Sequence, residues 1–502
     1  MTQLSKSRII AWRQCPKRLW LEVHRPELRE DSAATQASFA VGHQVGEIAR
    51  RLYDPEGTGI ELDPKAEGYD AAVARTAPLM AAPRPIFEAG FAFDGVRAFA
   101  DVMMPVTPGD PSVWRMVEVK SSTGVKDYHL DDAAVQAYVA RSSGAPLQAV
   151  ALAHIDSSWT YPGDGDYRGL LVEEDLTRKA FGREPEVRTW IVGAKATGAL
   201  KEEPAVRTGR QCTSPFECGF LAYCSAGVPR AEYPVVWLPR IQRRDLKTLI
   251  DEEGVTDMRE VPDELLNDQQ RRVKAHTLAG TVFFDAPGAA SDLAGHGLPA
   301  YFLDFETIMF AIPIWKGTRP YQQIPFQFSV HRVTAENAVE QESFLDLSGN
   351  DPSQAIAGAL LAACGDTGPV FAYNAGFEKK RIEELATRFP EMSGGLLAIR
   401  ERIIDLLPVA EKRYYHPAQQ GSWSIKSVLP TIAPELAYEN LEGVKEGGAA
   451  MAAYLEAISP AADDARKEEV RKQLLEYCAL DTLGLVRLWR VFSGRQMLQR
   501  NG

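Results

Sequence analysis

The chain has 502 residues, 45% hydrophobic and 25% charged, with a formal net charge of −12 at pH 7. This composition excludes a disordered polymer and a broadly basic nucleic-acid coat, and the length exceeds one ordinary core, so two or three domains are expected. The acidity is compatible with a nuclease, whose metal-binding carboxylates add negative charge while a local basic groove meets the phosphates. The opening MTQLSKSRIIAWRQC has no apolar stretch of the secretory kind. The longest apolar run, AIAGALLAAC, falls short of the roughly 20 residues that cross a bilayer. A cytoplasmic α/β chain without a membrane partner is the expectation.

From residue 1 to 228, helical and strand patterns alternate and end in a cysteine cluster. FAVGHQVGEIARRLY carries His43, and VRAFADVMM reads as a strand carrying Asp101. In MVEVKSST, Glu118 and Lys120 are two apart on a strand and share one face. LDDAAVQAYVA reads as a helix with Gln136 and Tyr138. Of the six cysteines, Cys364 and Cys478 lie in apolar text and read as packing residues. Cys212, Cys218 and Cys224 form a C-x5-C-x5-C run, and Cys15 stands alone in WRQCPKRLWLE. In a reducing cytosol such clustering points to metal more than to disulfide.

The D-x16-E-x-K spacing, preceded by Gly-His and followed by a Gln/Tyr helix, resembles the RecB-type PD-(D/E)XK nucleases. The resemblance implies a restriction-endonuclease-like core over residues 1–228. His43, Asp101 and Glu118 would bind a divalent cation there, with the Val119 carbonyl as a further ligand. Lys120 would steer water and stabilise charge on the phosphate, and Gln136 and Tyr138 would sit near DNA. The family often has Q-x-x-x-Y where this chain has Q-x-Y. One early cysteine plus three after the core resembles the iron–sulfur nucleases of the RecB class. That implies a [4Fe–4S] cluster on Cys15, Cys212, Cys218 and Cys224. Four thiolates would also suit tetrahedral zinc, although the paired C-x2-C spacing common in zinc sites is missing from the run.

Residues 229–298 read as a helical linker region. Short charged helices come first, then the Gly/Ala/Pro-rich DAPGAASDLAGHGLP. Strand patterning resumes at 299 and runs to 495. In YFLDFET, Asp304 and Glu306 lie on one face of an otherwise apolar strand. VFAYNAGFEKKRIEEL is a strand followed by a helix with Glu378 in its first turn, and LLEYCALDTLGLVRLW sets Tyr477 and Asp481 four apart on one helix face.

These three strings resemble, in order, the D-x-E, N-x-x-x-D and Y-x-x-x-D motifs of the DnaQ-type DEDD exonucleases. The resemblance implies an RNase H-like mixed sheet flanked by helices. Asp304, Glu306, Glu378 and Asp481 would hold two Mg²⁺ or Mn²⁺ ions, Tyr477 would orient water and Asn374 would support the site. Glu378 stands where the family usually has Asp. Asp405, in RIIDLL, is a candidate substitute, but a structural strand-end role is the favoured reading for it. As a whole the chain resembles a bacterial family joining an iron–sulfur RecB-like nuclease to a DEDD domain of the tyrosine type. The expected function is a two-site, metal-dependent exodeoxyribonuclease on single-stranded ends, in DNA repair, processing or defence. A nucleic-acid-binding scaffold with one or both sites inactive, and an RNA exonuclease, are the alternatives.

Overall fold

A computed structural model describes residues 3–227, 231–334 and 338–495. The chain divides into two units, Met1–Pro229 with Phe310–Tyr321, and Arg230–Met309 with Gln322–Gly502. Both are mixed α/β. Among the described residues no helix is long and apolar enough to cross a membrane.

The first unit is built on seven strands: β1 (Leu4–Ser5), β2 (Ile60–Glu61), β3 (Ile86–Phe93), β4 (Val96–Thr107), β5 (Asp110–Lys120), β6 (Leu147–Ile155) and β7 (Leu171–Asp175). Their order is β2-β3-β4-β5-β6-β7, with β1 paired to β4. Asp94 and Gly95, at φ 47° and 69°, turn β3 into β4, where a two-residue hairpin needs positive φ at both positions. From β5 to β6 the pairing is parallel, so the chain must cross over, and the helix Asp127–Ser142 makes that crossover.

A fork in the sheet sets up the first site. On β4, Val102 and the residues after it pair with β5, whereas Val96 and Arg97 pair with Leu4 and Ser5 of β1. The two partners part company beside Asp101. There the Asp101 carboxylate accepts the Val119 backbone N–H at 2.7 Å, satisfying a donor that the parted strand would otherwise leave open. Lys6 begins the helix Lys6–Gln14 immediately after β1, and Ser5 caps that helix by accepting the Arg8 N–H.

In the second unit, β8 (Phe283–Phe284) pairs with Tyr414–Tyr415 in a small two-stranded sheet, and β9 (Ala300–Ile308), β10 (Ile324–Val333), β11 (Val339–Leu345), β12 (Val370–Ala372) and β13 (Ile403–Asp405) form a mixed sheet in the order β11-β10-β9-β12-β13. Strand alternation sorts β9 into two faces. Tyr301, Leu303 and Phe305 enter a core with Ile356, Leu360, Ile382 and Leu385. Phe302, Asp304 and Glu306 turn to the other face, where Phe302 packs edge-on against Trp489 of the helix Asp464–Phe492. Directly across on β10, Gln327, Ser329 and His331 are buried polar residues and need partners. Gln327 donates to the Leu474 carbonyl at 2.7 Å, and Ser329 and His331 each meet the Thr482 hydroxyl at 2.8 Å. These bonds fix the long helix over the carboxylate face.

Two boundaries differ from the expected ones. The region expected as a helical linker, 229–298, falls from Arg230 onward within the second unit. Within the expected Gly/Ala/Pro linker, Asp285 caps a helix over Ala286–Leu293, whose Ala289 and Leu293 are buried. Arg413 pairs with both Asp285 and Asp292, and Thr277 bonds the Tyr415 hydroxyl at 2.7 Å. In addition, Phe310–Tyr321, between β9 and β10, belongs to the first unit. There Ala311 joins a cluster with Val45, Ile48, Ile155 and Leu170, and the Tyr161 N–H donates to the Thr318 carbonyl at 3.0 Å.

Candidate functional site

The first unit holds an open cleft of about 950 Å³ whose walls include His43, Asp101, Glu118, Lys120 and Tyr321. Glu118 is only 1% exposed. Its Oε1 accepts from Lys120 at 2.6 Å and from Lys6 at 2.8 Å, and its Oε2 accepts from Gln136 at 2.6 Å. Asp132 Oδ2 receives the same two ammoniums, at 2.9 Å from Lys120 and 3.3 Å from Lys6. Burial works against the ionised form of Glu118, but Lys120 and Lys6 overrule it and hold the carboxyl well below its ordinary range. Asp101 lacks such pairing, so burial and the neighbouring Glu118 push it up to about 7.

Tyr138 does not reach this site. Two positions along a helix are about 200° apart, so a residue two after Gln136 faces away from Glu118. Tyr138 instead packs in the core against Phe93. His43 is exposed on the helix Ala33–Tyr53 and lines the cleft. Among the described residues, however, the donor atoms of His43, Asp101 and Glu118 do not form a group converging within 4.8 Å.

Cys15, Cys212, Cys218 and Cys224 line one small cavity together with Lys17, Arg18 and Arg207. None is in a disulfide. Cys15 sits between the helices Lys6–Gln14 and Pro16–His24, the Cys218 N–H donates to the Cys212 carbonyl at 2.8 Å, and Cys224 is on the helix Leu221–Ala226. Burial raises the Cys218 and Cys224 thiols and the other cysteines add to it, while Arg18 opposes at Cys218 and Lys17 at Cys224. Among the described residues, however, the sulfurs of Cys15, Cys212, Cys218 and Cys224 do not form a group converging within 4.8 Å.

In the second unit, Asp304, Glu306 and Asp481 bring one oxygen each to within 4.8 Å of one another. Tyr477, one turn before Asp481 on the long helix, is buried, and its hydroxyl favours the ionised form of Asp481. Glu378, 3% exposed in the first turn of the helix Gly376–Arg388, acts electrostatically on Asp304, and its Oε2 has no hydrogen-bond partner. Burial is the leading cause that raises all four carboxyls; repulsion within the cluster adds to it at Asp304 and Glu306, Asp405 adds to it at Glu378, and Tyr438 and Lys426 oppose it at Asp481. Asp304 is well above its ordinary value, Glu306 is near 8 and Glu378 near 8, and Asp481 is near 6. Asp405 takes the structural role, because its Oδ1 accepts the backbone N–H groups of Asn374 and Leu407, both at 2.9 Å. Asn374 itself is exposed, with a left-handed φ of 60°.

Residues 301–424 match a family described as a domain of unknown function (DUF2779). No curated protein matches the chain. The match includes Asp304, Glu306 and Glu378 and ends before Tyr477 and Asp481.

Several residues at these sites escape the sequence reading. Tyr438 donates to Asp481 Oδ1, and Lys426 lies 5.2 Å from the ring centres of both Tyr438 and Tyr477. Cys478, expected to be simple packing, is buried with its sulfur 3.9 Å from Asp304 Oδ2. In the first unit, Lys6 and Asp132 complete the Glu118 cluster. Asp132 had a signal, lying four residues before Gln136 on one helix face.

Proposed function

We propose that the chain is a metal-dependent nuclease with two sites, a PD-(D/E)XK-like one in the first unit and a DEDD-like one on an RNase H-like sheet in the second. The observation that carries the reading is the convergence of Asp304, Glu306 and Asp481 beside Tyr477, with an unpaired Glu378 oxygen close by. Like charges are gathered there at a cost in burial and repulsion, and hard oxygen donors suit Mg²⁺ or Mn²⁺. Divalent cations, when bound, would neutralise charge on the attacking and leaving oxygens of a phosphodiester. Asp304, Glu306, Asp481 and Glu378 would hold them, and the Tyr477 hydroxyl would orient the attacking water. In the first unit, Asp101 and Glu118 would hold a cation, with Lys120 against the phosphate. DNA ends are the proposed substrate and the cytoplasm the proposed setting.

The test uses end-labelled single- and double-stranded DNA and RNA with Mg²⁺, Mn²⁺ or EDTA. Degradation is expected with either metal and none with EDTA. Glu118→Gln should remove one activity and leave the other, because the two carboxylate sets are separate. If the wild-type chain leaves every substrate intact in both metals, the nuclease reading fails.

Cys15, Cys212, Cys218 and Cys224 would hold a [4Fe–4S] cluster that ties the start of the unit to residues following its core. Protein purified without oxygen should be brown, with about four iron and four sulfide per chain. Cys218→Ser should bleach it and lower the melting temperature of the first unit. Colourless protein carrying stoichiometric zinc would reject the cluster.

A further inference from the structure

Glu118 is held by two lysines. Lys6 and Lys120 lie on the same oxygen of Glu118 and the same oxygen of Asp132. Two ammoniums and two carboxylates therefore form a closed set with no net charge. A divalent cation taking Glu118 Oε1 competes with both ammoniums for one oxygen and repels them at short range. Asp132 can retain an ammonium, and Lys120 is the closer of the two, at 2.9 Å against 3.3 Å for Lys6. Lys6 is thus the ammonium more easily displaced. Its side chain is 20% exposed, and it lines both the main cleft and an adjoining cavity of about 510 Å³ bordered by Ser5, Arg8 and Arg97.

Resting on the nuclease reading, we propose that Lys6 is a second phosphate-contacting lysine of the first site, released from Glu118 by the metal and taken up by a phosphodiester oxygen of the bound strand. Adding a dication to a balanced set leaves excess positive charge that an anionic strand supplies the means to neutralise. Metal and nucleic acid therefore bind cooperatively at this site. Asp132 is a positioning residue, keeping Lys120 in place while Lys6 moves.

The test measures binding of a short single-stranded oligonucleotide to the full chain at several salt concentrations, with Ca²⁺ in place of Mg²⁺. Each phosphate contact contributes about 0.7 to the slope of log affinity against log salt for a single strand. Lys6→Met should lower the slope by about that amount in Ca²⁺ and leave it unchanged in EDTA, where Lys6 stays on Glu118. Lys6→Gln keeps a donor for Glu118 without the charge and should behave as Lys6→Met does, whereas Lys6→Arg should keep the wild-type slope. Equal slopes for wild type, Lys6→Met and Lys6→Gln in Ca²⁺, with binding intact, would overturn the inference alone. A wild-type chain that binds no strand at any salt would overturn it together with the nuclease reading.

Discussion

Asp304→Ala is expected to lower release of mononucleotides from a free 3′ end by on the order of 10³-fold, while the activity lost in Glu118→Gln persists. Asp304 is central to its cluster, with Asp481, Glu306 and Glu378 all acting on it. No neighbour can replace it: Cys478 offers a thiol that burial and these carboxylates keep protonated. The variant should still fold. Its carboxyl is held against burial and the repulsion of its neighbours, so Asp304→Ala removes an unfavourable buried group, and a melting curve of the metal-free variant checks that it folds. The assay measures label release from a 3′-labelled strand in the Glu118→Gln background, with a 3′-blocked strand as control. Full activity in Asp304→Ala, or rapid digestion of the blocked strand, would remove the 3′–5′ assignment.

The second large effect is on stability. Glu306 and Glu378, ordinarily near 4.5, stand near 8 in the folded chain, and Asp481, ordinarily near 3.8, near 6, with burial as the leading cause. A carboxyl whose folded pKa is raised binds its proton more tightly when folded. The stability it contributes is complete below its unfolded value and is lost as pH rises through the folded one. Metal-free protein should therefore lose melting temperature between about pH 5 and pH 8. Saturating Mn²⁺ should restore on the order of 5–10 °C at pH 8, and less at pH 6, where protons compete with the metal. Asp101, near 7, adds to the same slope from the first unit. Glu118 has the opposite sign, because its pKa is lowered and its contribution is lost only in acid. A melting temperature independent of pH and Mn²⁺ across this window would count against a metal centre.

Periodicity made the second site legible and left its supporting residues hidden. Alternation along YFLDFET places Asp304 and Glu306 on one face, and helical spacing pairs Tyr477 with Asp481. That the two faces meet depends on Gln327, Ser329 and His331, whose role shows only when the helix they bond is in place. Lys6 has no local signal, because its position comes from β1 pairing with a distant strand. Tyr138 was misplaced by a family spacing that this chain does not share. The linker expectation failed because the Asp285 cap and the buried Ala289 and Leu293 outweigh a composition rich in Gly, Ala and Pro.

The placement of Phe310–Tyr321 bears on how such a protein can be cut or recombined. Tyr321 lines the first unit's cleft and donates to the Ser121 carbonyl, yet it is encoded between two neighbouring strands of the second unit's sheet. A fragment ending at residue 229 lacks part of its own cleft wall, and the remainder carries an orphaned apolar loop. Neither half is a transferable cassette. A break after residue 229 should damage the first cleft even with every one of its proposed metal ligands present, because Tyr321 would be on the other piece.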